Sequence, residues 1–274
     1  MIPNKDNIKI LKKCIDSILE KTTYNNYEIV IIENNSEKIK TFKYYDKIKE
    51  NEKIKILEYT EKGFNYSKII NYGVKNCSGD FVLQLNNDTK LITNNWLEKF
   101  IGYAQQKEIG AVGARLYFKN KSIQHAGIAI GIAGFAGNLF SRLPRGIRGY
   151  FGKESLIQNL SAVTGACLFS RKQIYEEVGY MDEEKFKVAL NDVDFCLKIR
   201  QKGYLIVYNP YIELMHYESI SRGYEDTHEK KERFNNEVKY FKEKWKKLLE
   251  NGDPYYNINF SRKDANYNIK RTSE

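Results

Sequence analysis

Apolar runs alternate with amphipathic segments through the first half of the chain, and this alternation constrains the fold more than any other feature. Four runs have the β-branched and aromatic composition of buried strands: YEIVIIENNS, KIKILEYTEKG, DFVLQLNND and IGAVGARLYF. Three segments have helical spacing of apolar residues: NIKILKKCIDSILEKT, NYSKIINYGVKNCSGD and NNWLEKFIGYAQQKE. Strands that alternate with helices predict an α/β fold, in which helices flank a mainly parallel central sheet.

Two of the apolar runs end in short polar segments that contain an acid. Glu33 follows YEIVII, and Asp88 follows VLQLNN. Taken alone, LQLNNDTK is typical of a turn, because Asn and Asp side chains bond to the local backbone. In an open parallel sheet, however, ligands bind beyond the carboxyl ends of the strands. Two carboxylates at that edge are costly unless something pairs with them, so the pattern favours a ligand site.

The middle of the chain is less regular. Residues 124–150 are rich in Gly and carry Arg142, Arg145 and Arg148, which predicts a long, flexible loop rather than packed sheet. AVTGACLFSRKQIYEEVGYMDE then predicts a strand followed by a helix. LNDVDFCLKIRQKGY predicts a helix that ends at Gly203. YLIVYNPYIELMHYES predicts a further strand with a bend at Pro210.

The last part of the chain predicts a basic amphipathic helix over residues 226–253 and a loose polar tail over 254–274. The apolar side of this helix is formed by Phe234, Val238, Phe241, Trp245, Leu248 and Leu249. We predict that this side packs on the domain. Peripheral contact with an anionic membrane surface is the alternative.

Composition narrows the class of partner. The net charge of +10 suits phosphate-rich partners, but the excess is concentrated late in the chain and no nucleic-acid-binding motif is present, so we predict no nucleic-acid partner. The four cysteines are too widely spaced for a metal knuckle or a dense disulfide framework. The sequence has no apolar run of about 18 residues and no signal peptide, so we expect a cytoplasmic protein.

Six motifs, in this order, resemble the inverting family 2 glycosyltransferases with a GT-A fold: IPNKDN, YEIVIIENNS, LQLNNDT, TGACLFSRK, NDVDFCLKIRQKGY and MHYES. Three further motifs resemble the bacterial rhamnosyltransferase-like branch: FNYSKIINYGV, IQHAGIAIG and SRG. The resemblance implies a GT-A catalytic domain over residues 1–225, with a nucleotide-binding half at 1–95 and an acceptor half at 96–225.

The resemblance also implies an activity and a cofactor. It implies transfer of a sugar, with inversion, from a nucleoside diphosphate sugar to a glycan or lipid-linked acceptor hydroxyl in cell-surface polysaccharide biosynthesis. Asp88 matches the family's metal-binding acid and His216 matches a histidine that completes the site, for which Mn²⁺ or Mg²⁺ is suited. Asp192 matches the family's catalytic base, which takes the proton of the acceptor hydroxyl.

A further set of residues matches positions that bind the nucleotide sugar in the family. They are Pro3, Asn4, Glu33, Asn65, Asn71, Asn86, Asn87 and Gly165. A carboxylate such as Glu33 accepts hydrogen bonds from a base or a ribose hydroxyl, although a strand-end cap is an alternative role.

Some positions depart from the family pattern or stay open. Asn86 stands where the family often has Asp, and Asn191 replaces Glu. Asp192 is alternatively a helix cap, a role that is compatible with that of a base, and Asp194 is an alternative for the functional acid. His125 either lines the donor or acceptor site or packs in the core. The three arginines of 124–150 either clamp an anionic group or form a solvated loop.

The first strand is the largest departure. Only Met1 and Ile2 precede Pro3, whereas the family has several more apolar residues in this central strand. This departure favours one alternative, a truncated inactive or accessory module of a glycan-assembly system. A nucleotidyltransferase on a related scaffold is another alternative, but it expects a Gly-rich loop near the first strand, and IPNKDN contains no glycine.

Overall fold

The computed structural model describes residues 1–217 and 227–271 and contains the predicted alternation of strands and helices. The strands are β1 (Ile2–Asn4), β2 (Ile29–Asn34), β3 (Ile54–Tyr59), β4 (Phe81–Leu85), β5 (Thr89–Leu91), β6 (Ile109–Tyr117), β7 (Ile123–His125), β8 (Ile128–Ile130), β9 (Ala136–Asn138), β10 (Gln158–Leu160), β11 (Cys167–Arg171) and β12 (Leu205–His216). The helices are α1 (Ile8–Lys21), α2 (Ile39–Ile48), α3 (Tyr66–Asn76), α4 (Trp96–Ala104), α5 (Lys172–Glu177), α6 (Asn191–Gln201), α7 (His228–Lys244) and α8 (Lys246–Asn251).

The central sheet is built from two groups of strands that meet at β1. One group has the order β3-β2-β1 and is parallel, with Asn4 beside Glu33 and Glu33 beside Glu58. The other has the order β4-β11-β6-β12-β10. The amino group of Met1 donates to the carbonyl of Leu83 (2.7 Å), and the N–H of Leu85 donates to the carbonyl of Met1 (3.0 Å). This is the pattern of a parallel pair, so β1 connects the two groups.

Helices cover both faces of the sheet, which confirms the α/β fold. On one face, α1 and α4 bury Leu11, Ile15, Trp96 and Phe100. On the other face, α3, α5, α6 and α7 bury a second apolar core. The parallel strands therefore carry buried side chains on both sides, as the continuous apolar run of β2 indicates. The second group also contains antiparallel pairs, because β11 runs between β4 and β6 in the opposite direction.

The prediction of a flexible loop over residues 124–150 is wrong for its first part. Ile128, Ile130 and Leu139 are buried, and β8 pairs with β9. The Gly and Ala residues of this segment allow close packing, so their abundance indicates tight contact here rather than flexibility. The later part, which carries the three arginines, is largely exposed.

The C-terminal part also differs from its prediction. The single helix is divided at Trp245 into α7 and α8, and Phe241 and Trp245 are buried in the core. The prediction of a loose tail is wrong for Tyr256 and Tyr267, which are buried and lie 4.8 Å apart between ring centroids. None of the helices described has the length and apolarity needed to cross a bilayer. The SRG motif at 221–223 and the boundary at 225 lie outside the described residues.

Candidate active site

A cavity of about 620 Å³ lies at the carboxyl ends of β1, β2 and β4, where an open sheet of this kind binds ligands. Eight of the eleven predicted site residues line it: Pro3, Asn4, Asn86, Asn87, Asp88, Gly165, Asp192 and His216. The segment after β4, the turn before β11, the N-terminus of α6 and the end of β12 therefore converge on one space, although Asn86 and His216 are 130 positions apart in sequence.

Asp88 and His216 form the first cluster in this cavity. Oδ1 of Asp88 lies 3.1 Å from Nε2 of His216, and both side chains are buried. Nδ1 of His216 lies 2.7 Å from Oε1 of Gln124. An amide oxygen only accepts hydrogen bonds, which assigns the ring proton to Nδ1. Nε2 therefore presents a lone pair to the cavity.

Asn86 supports this assignment. Its Oδ1 lies 3.1 Å from the hydroxyl of Tyr66, which donates to it, and its Nδ2 lies 3.2 Å from Nε2 of His216. The amide nitrogen is a donor, so Nε2 is the acceptor of that contact. The lone pair of Nε2 and the carboxylate oxygen of Asp88 are then two electron-rich atoms at 3.1 Å.

A divalent cation fits this arrangement. Oδ1 of Asp88 is buried and has no hydrogen-bond donor among residues 1–217 and 227–271. Two ligand atoms at right angles, each about 2.1 Å from an octahedral ion, are about 3.0 Å apart. No group of three His, Cys, Asp or Glu side chains surrounds the site within the described part of the chain. Mg²⁺ and similar hard ions commonly take one or two protein ligands and complete their shell with phosphate and water.

Asp192 faces the same cavity from the first turn of α6. Its Oδ2 accepts the N–H of Gly165 (2.7 Å), and its Oδ1 accepts the N–H of Val193 (2.8 Å). Gly165 permits this approach, because a Cβ there would lie 3.2 Å from the Cβ of Asp192. Burial raises the pKa of Asp192, and the two N–H bonds oppose that shift. A raised pKa makes the carboxylate a stronger proton acceptor.

Asp194 has a different environment. It is fully buried, and its Oδ1 lies 2.7 Å from Nζ of Lys244 and accepts the indole N–H of Trp245 at 2.9 Å. It does not line the cavity. Leu190, rather than Asp192, occupies the N-cap position of α6, so Asp192 is not the helix cap. The geometry therefore separates a cavity-facing acid from a structural one.

Three predicted site residues do not reach the cavity. The carboxylate of Glu33 accepts the hydroxyls of Tyr45 (2.6 Å) and Ser36 (2.7 Å) and the N–H of Ser36, so it bonds locally at the strand end. Asn65 accepts the N–H of Lys68 (3.1 Å) as the N-cap of α3. Asn71 donates to the carbonyl of Met181 (2.9 Å) and ties α3 to the chain before α6.

His125 and the three arginines also lie elsewhere. His125 is buried, its Nδ1 lies 2.6 Å from Oδ1 of Asn138, and burial lowers its pKa to about 4. Of its two open roles, packing is the one the structure shows. Arg145 pairs with Glu213 at 2.8 Å. Neither Arg142 nor Arg148 is among the residues that line the cavity.

Sequence reasoning missed several cavity residues. Asn34 and Asn35 line the end at β1 and β2, where Glu33 was expected. Lys230 and Arg233 line it from α7, which the sequence predicts only as a packing or membrane-facing helix. Gln124 contacts His216 from 92 positions away. Gln124 does not itself line the cavity, and its only signal in the sequence is its place beside His125 in the motif IQHAG.

Comparison with known proteins agrees with this fold. The model of Glycosyl transferase family 2 matches residues 1–179. The O-antigen biosynthesis protein RfbC of Myxococcus xanthus is 34% identical over 275 residues, covering 100% of this chain and 21% of that protein. The uncharacterized protein y4gI of Sinorhizobium fredii is 39% identical over 262 residues, covering 95% of this chain and 29% of that protein. The chain thus spans less than a third of either relative.

A solved structure shows the same fold. The crystal structure of GalNAc-T7 with UDP, GalNAc and Mn²⁺ aligns with a TM-score of 0.64 at 15% sequence identity, over 79% of this chain and 43% of that one. At this identity the likeness concerns the fold, which is GT-A. Since the family model matches well over half of the residues, this chain belongs to glycosyl transferase family 2.

Proposed function

We propose that this chain is the catalytic domain of an inverting glycosyltransferase of the rhamnosyltransferase-like branch. It moves a sugar from a nucleoside diphosphate sugar to a glycan or lipid-linked acceptor hydroxyl in cell-surface polysaccharide biosynthesis. One observation carries the proposal: Asp192 faces the same cavity as the pair formed by Asp88 and His216. A proton acceptor and a metal site on one cavity are what this transfer needs.

In this mechanism Asp192 takes the proton of the acceptor hydroxyl while its oxygen attacks the anomeric carbon. The N–H groups of Gly165 and Val193 hold the two carboxylate oxygens in place for this step. The bond to the departing diphosphate breaks as the new bond forms on the opposite side of the sugar. A single displacement of this kind inverts the anomeric centre, because no enzyme-bound intermediate intervenes.

Asp88 and His216 would hold Mn²⁺ or Mg²⁺, and the bound ion supplies positive charge that stabilises the departing diphosphate. Gln124 orients the ring of His216 for this role through Nδ1, whereas the amide of Asn86 would release Nε2 when the ion binds. Asn87 donates to Oδ1 of Asn4 at 2.7 Å and fixes the edge of the cavity beside β1. Pro3, Asn34 and Asn35 lie at that end, which is where we place the nucleoside.

Isothermal titration calorimetry with UDP, dTDP and GDP tests the proposal. We expect one of the three to bind, with an affinity at least about tenfold lower when Mn²⁺ is removed by a chelator. Binding without any donor turnover would favour an accessory module over an enzyme. Absence of binding by all three nucleotides would overturn the proposal.

The substitution Asn86→Asp tests the departure from an all-acid motif. A carboxylate oxygen would replace the amide nitrogen that now lies 3.2 Å from Nε2 of His216. We expect the affinity for Mn²⁺ to rise about tenfold, since added ligand charge strengthens the site. In chelator the melting temperature should fall, because two carboxylates then repel each other.

Titration of Mn²⁺ at fixed nucleotide, with thermal melts in chelator, measures both effects of Asn86→Asp. Asn86→Ala, which removes the side chain without adding charge, is the control and should not give the tenfold rise in Mn²⁺ affinity. An unchanged or reduced Mn²⁺ affinity for Asn86→Asp would contradict the assignment of this cluster as the metal site.

We further propose a cytoplasmic location with peripheral contact to the inner face of the cell membrane. Exposed Lys239, Lys242 and Lys246 surround Val238 on the outer side of α7 and α8. Each basic residue near an anionic surface contributes about 1 kcal/mol. We expect flotation with anionic vesicles at low salt, but not with neutral vesicles or at high salt. Flotation that is absent at low salt would contradict the proposal.

A further inference from the structure

The segment Val188–Asp192 forms one wall of the cavity, and we call it the acceptor-side strip. Leu190 in this strip has a left-handed backbone conformation, with φ of 59°. That conformation is unfavourable for a branched residue by about 1–2 kcal/mol, so contacts from outside must maintain it. Asp192 lies two residues further on, and its orientation follows from the path of this strip.

The strip is held from α7 by a buried carboxylate. Glu237 is 3% exposed and accepts the N–H of Val188 and the N–H of Ala189, both at 2.9 Å. Within the strip, the side chain of Asn191 donates to the carbonyl of Val188 at 3.0 Å. A buried backbone N–H without a partner is costly, so the two bonds to Glu237 select the observed path.

The helix that carries Glu237 is itself fixed at its far end. Lys244 and Trp245 bond to Asp194 on α6, at 2.7 Å and 2.9 Å. Arg233, one turn before Glu237, lies 3.7 Å from its Oε2 and lines the cavity. Helix α7 therefore bonds to the chain on both sides of Asp192. Glu237 bonds to residues 188 and 189, which precede Asp192, and the end of α7 bonds to Asp194, which follows it.

We infer that Glu237 is a positioning residue for the proposed base Asp192. This inference rests on the proposed function for its kinetic consequence, but the contact itself can be tested without activity. The family model matches residues 1–179 and does not include Glu237. The inference therefore rests on the contacts that Glu237 makes from α7. The carboxylate has two equivalent acceptor oxygens, one for each N–H, whereas an amide has one.

The test is Glu237→Gln, with Glu243→Gln as the matched control. Glu243 lies on the same helix and is exposed, so its substitution makes the same charge change away from the strip. We expect amide exchange of residues 188–192 to rise about tenfold in Glu237→Gln, because one N–H loses its acceptor. We expect kcat to fall about tenfold to a hundredfold, while the Kd of the nucleotide with Mn²⁺ changes less than about twofold. The control should match the unsubstituted protein in each measurement.

The outcomes separate the inference from the function. Unchanged exchange in 188–192, or an equal rise across the whole chain, would overturn the positioning role. A loss of nucleotide affinity as large as the loss of kcat would also overturn it, since it indicates general damage. If the unsubstituted protein transfers no sugar, the proposed function fails while the exchange result still decides the contact. If Glu237→Gln does not fold, Glu237→Asp replaces it, because this variant keeps the charge but shortens the side chain. The same amide exchange of residues 188–192 is then measured.

Discussion

Asp192→Asn is expected to lower kcat for sugar transfer by about 10²–10⁴-fold and to leave nucleotide affinity within about twofold of its original value. The amide keeps the shape of the side chain and the acceptor for the N–H of Gly165, now 2.7 Å from Oδ2, but it cannot take a proton from the acceptor. Steady-state kinetics and calorimetry on the same preparation measure both quantities.

Stability provides the control for this prediction. Because burial raises the pKa of Asp192 in the folded state, ionisation disfavours folding there. Removal of the charge in Asp192→Asn therefore offsets the loss of the acceptor for the N–H of Val193, and the melting temperature should change little. A large stability loss in Asp192→Asn would mean that Asp192 is structural.

The same raised pKa sets the dependence of activity on pH. Asp192 accepts a proton only when it is ionised, so kcat should fall as the pH falls through its pKa. Since burial raises that pKa, the acid limb should lie above the ordinary value of 3.8. The residual activity of Asp192→Asn should lack this limb, and a limb that persists in the variant would assign the base elsewhere.

Asp88→Asn is the second large effect, and we expect it to weaken the Mn²⁺-dependent binding of nucleotide by about 10²–10³-fold. In its carboxylate form Asp88 offers a buried acceptor oxygen 3.1 Å from the lone pair of His216. The amide binds a hard cation poorly, but its nitrogen is a good donor to Nε2. In chelator we therefore expect a melting temperature equal to or above that of the original protein.

Calorimetry with nucleotide and Mn²⁺, and thermal melts in chelator, measure these two effects of Asp88→Asn. Asp46→Asn is the control, because Asp46 is 69% exposed and pairs with Lys49 on the surface of α2. His216→Ala should resemble Asp88→Asn in the calorimetry. Full Mn²⁺-dependent affinity in Asp88→Asn would contradict the metal assignment.

The helices and strands that could be predicted from the sequence are those whose buried apolar residues recur at regular spacing. Leu11, Ile15 and Ile18 lie on the buried side of α1, and β2 is buried along its whole length. Asp88 follows β4, Asp192 lies in the first turn of α6 and His216 ends β12. These three elements were predicted from the order of the motifs, and the three residues line one cavity. Helix α2 was not predicted, and only Thr41 and Tyr45 of its sequence IKTFKYYDKI are buried, whereas Ile39 and Phe42 are exposed.

The parts that were missed depend on partners far away in sequence. Glu33 bonds to Tyr45 on α2, so an acid predicted to bind nucleotide is already satisfied by the protein. Gln124 and Glu237 have partners 92 and 49 positions away, and no local period indicates such pairs. The tail after Pro254 has a polar composition, but its few tyrosines stack in the core and determine its structure.

Tyr66 has a consequence for the size of substrate that the site accepts. Its hydroxyl lies 3.1 Å from Oδ1 of Asn86 and 3.1 Å from the carbonyl of Gly165, so one aromatic ring bridges the metal side and the base side of the cavity. These walls cannot separate without breaking at least one of the two contacts. The distance between the metal side and the base side therefore depends on Tyr66, and so does the width that the cavity offers a substrate.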